Sequence, residues 1–168
     1  MTRHIRDPIL APWLWLVAGC AAAWAEPVAP TLAQLNDIGL AIAQQKCPRP
    51  VEVKTSFVAN PRDRDVADEM QSFDCRTYRV AVYRSLSQTP PREVPLSVVL
   101  DGEHPLAQGP WSVGASAATI HSLLGPPTKT FGEVLVYALD PKRPDRDTLT
   151  FEVADGIVQA VTWTWEVE

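Results

Sequence analysis

Between Thr31 and Lys46 the apolar positions Leu32, Leu35, Ile38, Gly39, Ile42 and Ala43 recur at the spacing of one helix face. Thr31-Leu32-Ala33-Gln34 has the capping-box pattern, in which hydroxyl and amide each meet an exposed N–H. Lys46 lies near the negative end of the helix dipole, and Pro48 stops the run. The pattern predicts a helix over 31–46. Val51, Val53, Thr55 and Phe57 then alternate with Glu52, Lys54 and Ser56, which predicts a half-buried strand. The mixed-charge stretch from Asn60 to Glu69 reads as a connection with room for one helical turn. Alternation resumes from Cys75 to Arg84, with Tyr78, Val80 and Val82 on one side. After a proline-containing turn over Ser85 to Arg92, Val94, Leu96, Val98 and Leu100 mark a third strand. Pro95 has no N–H to give a neighbour, so this strand is expected to start or edge its sheet.

A second block begins near Trp111. Ser116 is placed to cap a short helix whose apolar face is Ile120, Leu123 and Leu124, and Gly125-Pro126-Pro127 ends it. Val134 to Leu139 reads as a strand, and Asp140 to Asp147 as a charged loop. Leu149, Phe151 and Val153 alternate with Thr148, Thr150 and Glu152. Asp155-Gly156 is a tight-hairpin signal, because the turn that matches strand twist needs positive φ at both positions. The last strand, Ile157 to Val167, sets Val161, Trp163, Trp165 and Val167 on one face and Thr162, Thr164 and Glu166 on the other. The order is helix and three strands, then the same again. That predicts an α+β fold: antiparallel sheet with helices packed on one face, as one αβββ unit or two in tandem. The boundaries are 1–25 for an export signal, 26–105 for the first half and 106–168 for the second.

The N-terminus changes the picture most. Arg3, His4 and Arg6 precede an apolar run from Ile9 to Gly19. At about eleven residues it is too short to span a bilayer, which takes ~20. Two exits stay open. Ala23-Trp24-Ala25 is a small-x-small cleavage site, and Val17-Ala18-Gly19-Cys20 is similar to a bacterial lipobox, with Cys20 the lipidated residue. The expected location is the periplasm, with an outer-membrane anchor if Cys20 is acylated. Membrane contact is then expected only through that lipid.

The three cysteines of the chain fit this compartment. Cys20 is either lipidated or removed, which leaves Cys47 and Cys75 to pair where thiols are oxidised. The 15 cationic and 20 anionic side chains give a net charge of -5. A mildly acidic chain with no basic block is a poor candidate for nucleic acid, whose binding needs clustered cations.

The second block resembles a known pattern. Gly114-x-Ser116-x-x-x-Ile120-x-x-x-Leu124-Gly125-x-Pro127 is followed by Val136-Tyr137, then by Leu149-x-Phe151-x-x-x-Asp155-Gly156-x-Val158-x-x-Val161. This resembles the SmpA/OmlA-type small outer-membrane lipoproteins and the wider superfamily with the β-lactamase-inhibitor-protein-like αβββ unit. The resemblance covers about 55 residues of the C-terminal half and rests mainly on fold-determining positions. It implies a non-enzymatic envelope protein that works by binding another protein. A two-unit relative of the inhibitor type would bind an enzyme across its sheet.

Catalytic chemistry finds little support in the chain. There is no His-Glu-x-x-His, no Gly-x-Ser-x-Gly elbow and no phosphate-cradling loop, and no cofactor or metal is expected. Ser116 and His121 lie five apart on one short helix and point to different faces. His104 reads as part of a solvated turn. Asp63, Asp65, Asp68 and Glu69 cluster without calcium-loop spacing and are interleaved with Arg62 and Arg64, so self-neutralisation is expected. Trp111, Trp163 and Trp165 are the candidate partner-binding residues, since Trp buries a large area with few rotors. The competing reading makes the Trp stripe core. The exposed sheet face is then Thr148, Thr150, Glu152, Thr162, Thr164 and Glu166, flat, Thr-rich and acidic. The function expected is a protein-binding module of the cell envelope; the alternative is a periplasmic inhibitor or immunity protein that blocks an enzyme such as a cell-wall hydrolase.

Overall fold

The computed structural model describes residues 29–60, 63 and 65–167. The expected export signal, Cys20, Arg62 and Arg64 lie outside the described residues. Helix α1 (Leu32–Gln45) is followed by β1 (Glu52–Ala59), β2 (Ala67–Asp74), β3 (Tyr78–Ser85) and β4 (Arg92–Leu100). Helix α2 (Ala117–Leu124) is followed by β5 (Lys129–Phe131), β6 (Val134–Ala138), β7 (Thr148–Ala154) and β8 (Ile157–Thr164). The fold is α+β, as expected. Each helix precedes four strands rather than three.

The local signals act where they stand. The Thr31 hydroxyl accepts from the Gln34 N–H, and the Gln34 side chain accepts from the Thr31 N–H. The Ser116 hydroxyl accepts from the Thr119 N–H at 3.0 Å. Asp155 and Gly156 both take positive φ, 52° and 76°, which closes the β7–β8 hairpin.

All eight strands form one antiparallel sheet in the order β1-β2-β3-β4-β8-β7-β6-β5. The two halves of the chain meet where β4 pairs with β8. Pro95 therefore sits in a central strand, not an edge. It is tolerated because the β3–β4 register shifts beside its partner Val82, and because β8 pairs only with Ser97 to Leu100. The segment expected as a charged connection ends in β2, whose polar side chains hide the alternation.

The core runs along one face of this sheet. Val80, Val98, Trp163, Leu149 and Tyr137 are successive register partners across five strands. Leu100, Val161, Phe151 and Leu135 form a parallel row. Both rows belong to one buried cluster with Leu35 and Ile42 of α1, Ile120 of α2 and Trp111. Trp163 is 0% exposed, and its Nε1–H donates to the Leu35 carbonyl at 2.9 Å. Trp111 meets it edge-to-face, with ring centroids 5.9 Å apart. Cover stops short of the outer strand. β1 is exposed on both faces, with Val53 48% and Phe57 68% accessible, so it is not half-buried.

Cys47 and Cys75 form a disulfide that ties the chain just beyond α1 to the β2–β3 turn, as expected.

Candidate functional site

The structure separates the three Trp residues from any surface role at the sheet's polar face. Trp111 and Trp163 are core residues, 2% and 0% exposed. They fill the sheet's apolar side and present no contact surface, so as partner-binding candidates they are corrected. Trp165 is half-buried on the same side, and its Nε1–H donates to Asn36 Oδ1 of α1 at 2.9 Å. The physical reason lies in period 2: residues that share parity with a core Val must share its side of the sheet.

The opposite side is built by the intervening positions. Arg79, Val99, Thr162, Thr150, Val136 and Lys129 are register partners in one row across the sheet. Ala81, Ser97, Thr164, Thr148 and Ala138 make the next. In its middle this face carries short hydroxyl and aliphatic side chains. Val99, Thr150 and Thr162 are half-buried, Thr164 is exposed, and charge appears only toward the flanks at Arg79, Lys129 and Glu152. Short side chains over several strands leave a surface that another backbone can approach closely. The Thr positions at 148, 150, 162 and 164 were legible from alternation. Ala81, Ser97 and Val99 were not, because the β4–β8 pairing that adds them joins residues far apart in sequence.

A cavity of about 420 Å³ closes one end of this face. Tyr83, Ser85, Arg92 and Val94 of β3 and β4 line it, together with Asp63, Arg143, Arg146, Asp147 and Glu166. Several of its charged side chains have local partners. Arg146 pairs with Glu166 at 3.0 Å, Arg143 with Asp140 at 3.1 Å, and Asp147 Oδ1 accepts from the Glu166 N–H at 3.1 Å.

Beside the cavity lies a buried polar network centred on Asp68. Its carboxylate accepts from the Tyr83 hydroxyl, from Asn60 Nδ2 at 2.8 Å and from the Leu86 N–H at 2.8 Å. The expected acidic cluster is thus split: Asp68 is buried and fully bonded, while Glu69 pairs with Arg84 across β2 and β3 at 3.2 Å. The Tyr83 hydrogen bond, then those from Leu86 and Asn60, hold the Asp68 pKa below its usual value against the opposing effect of burial. Burial, then the Asp68 contact, pushes the Tyr83 phenol up to about 12. A depressed carboxylate stabilises the fold above its unfolded pKa of ~4, and that contribution is lost as pH falls through the folded value. The raised phenol contributes below ~10 and loses its contribution as pH rises through the folded value. Asp68→Asn is therefore expected to destabilise at neutral pH and to flatten the acid limb of stability below about pH 4. Urea unfolding from pH 7 down to acid checks this; an unchanged acid limb contradicts it.

His104 does not sit in a solvated turn. It is 7% exposed, stacks edge-to-face on Tyr78 at 4.6 Å, and its Nδ1 accepts from the Leu106 N–H. Burial holds its pKa below the usual histidine value. Ser116 is engaged as the α2 cap and bonds Thr119 Oγ1 at 2.8 Å, while His121 is exposed. Among the described residues, no three His, Cys, Asp or Glu side chains are grouped to hold a metal ion. Comparison with family models, curated proteins and solved structures finds no match for this chain.

Proposed function

We propose that this chain is an exported, non-enzymatic protein-binding module of the bacterial envelope that docks a partner protein on the Thr-rich face of its sheet. The observation that carries this reading is the division of labour across the sheet. One side is committed to an aromatic and aliphatic core, and the other presents small hydroxyl side chains that end in a polar cavity. On this reading α1 and α2 both lie on the core side and leave the other side to the partner. A helix followed by four strands, twice over, with the strand order mirrored about β4 and β8, supports a reading of two related units. The resemblance of the second block to the αβββ superfamily points the same way. The charged start and short apolar run of the N-terminus support a periplasmic location, with Cys20 as the residue that would carry a lipid anchor.

The second reading, an inhibitor or immunity protein against an enzyme such as a cell-wall hydrolase, rests on charge. A net charge of -5 favours a basic target. Both readings use the same face and differ in the partner's activity.

The test is a charge placed on the face. Thr162→Arg and Thr150→Arg are expected to leave the chain folded at a cost of about 1 kcal/mol or less, because their side chains are half-buried on the side away from the core. Both are expected to remove the partner adduct formed by crosslinking in intact cells. Folded variants that retain the adduct overturn the proposal.

A further inference from the structure

The two edges of the sheet are managed differently. β5 is three residues long, too short to template another strand. β1 is eight residues long, lies flush with β2 over eight register pairs without a bulge, and contains no Pro or Gly. Edge strands of this kind invite a further strand. The side chains deepen the anomaly. Val51, Val53 and Phe57 are 64%, 48% and 68% exposed, and Val53 and Phe57 flank Thr55 on one face of the strand. An apolar row on an open edge is costly unless something covers it.

We infer that a second copy of this chain covers it, by antiparallel pairing of β1 with β1 about a two-fold axis at Thr55. The backbone limits the register and the side chains choose it. Asn60 and Val66 continue the β1–β2 register, and the Asn60 N–H donates to the Val66 carbonyl at 2.9 Å. In an antiparallel ladder alternate residues turn their N–H and C=O toward one neighbour. Even-numbered residues of β1 therefore face β2, and Val53, Thr55, Phe57 and Ala59 turn theirs outward. Just before the strand, the Val51 N–H donates to the Asp74 carbonyl at 2.7 Å, which ends the open ladder there. An added strand must bond to the outward odd positions. Centring the two-fold on Ser56 would engage one more outward residue, Ala59, but Thr55 is the centre that matches the apolar side chains. It sets Val53 opposite Phe57 of the second copy, Phe57 opposite its Val53, and Thr55 opposite Thr55. These are aromatic–β-branched and Thr–Thr pairs, both favourable across strands. On the reverse face Lys54 meets Ser56 of the second copy, and its charge is already paired with Glu52 at 3.0 Å. The strand is thus self-complementary, as a two-fold interface requires. The result is one continuous sheet through two copies, leaving both Thr-rich faces free. The inference does not depend on what docks there.

Light scattering of the full chain across a dilution series, with Thr55→Cys and Ser56→Cys as crosslinking probes, tests it. The wild type is expected to have twice the chain mass at high concentration, and Phe57→Lys the single mass. Thr55→Cys is expected to form a covalent homodimer under mild oxidant, since directly opposed residues lie ~5.5 Å apart at Cα, within disulfide reach. Ser56→Cys, in the same background, should not exceed the wild type. A wild type that stays monomeric, a dimer indifferent to Phe57→Lys, or a Thr55→Cys thiol that couples to a different protein instead of itself overturns the inference.

Discussion

Trp163→Ala is expected to lower the free energy of unfolding by about 3–5 kcal/mol, the range for truncating a fully buried aromatic. The indole sits where the parts of the core converge. It lies between Val98 of β4 and Leu149 of β7 in the register, meets Trp111 at its edge, and bonds the Leu35 carbonyl of α1. It therefore couples the two halves of the chain. The complementary change is Gly39→Ala on α1. A Cβ at Gly39 would stand 2.6 Å from Trp163 Cδ1, a distance no real contact tolerates. Ala usually stabilises a helix interior over Gly by 0.5–1 kcal/mol or so, but here overpacking by about 1–3 kcal/mol wins. Urea unfolding checks both. Near-UV circular dichroism should lose its tryptophan signal in Trp163→Ala at concentrations of urea where the wild type is folded. A loss under 1 kcal/mol or so in Trp163→Ala would mean that the indole is not packed as described.

Removing the disulfide is the second large effect. Cys47 and Cys75 are 28 residues apart, and closing a loop of that length is worth about 3–4 kcal/mol in the chain-entropy account. Cys47→Ser with Cys75→Ser is expected to lower stability by that amount, and the melting temperature by roughly 10 °C. The loss should be uneven. The bridge holds the β2–β3 turn against the end of α1, where Tyr78 also donates to the Lys46 carbonyl at 2.9 Å and Lys46 pairs with Glu93 at 2.7 Å. Hydrogen exchange in the double variant should accelerate most in β1 and β2, the outer strands of that half, and least in β7 and β8. Uniform acceleration would show that the bridge acts only on the unfolded chain.

What the residues announced locally, the fold obeys. Thr31 and Gln34, Ser116, Gly125 and the Asp155-Gly156 turn each act within a few residues, and each holds the conformation its chemistry prefers. The parity of the last strand was also readable, as Val161 and Trp163 share one side. The misreadings share a different cause. β2 carries Asp68, Glu69, Gln71, Ser72 and Asp74, so it shows no alternation; its burial at Asp68 comes from Tyr83, Asn60 and Leu86, which only folding brings near. Pro95 points to an edge until the adjacent register shift is known. β1 alternates like a covered strand, but nothing in its own residues states how far α1 reaches. The candidate face was half legible for the same reason, since β4 and β8 are brought together only by the folded chain.

The most direct test of the central claim is a photo-reactive side chain carried at Thr162, and separately at the exposed Asp37 of α1, in intact cells. A discrete protein adduct is expected from position 162 and none from position 37. Equal adducts from both positions, or an adduct from Asp37 alone, would contradict it.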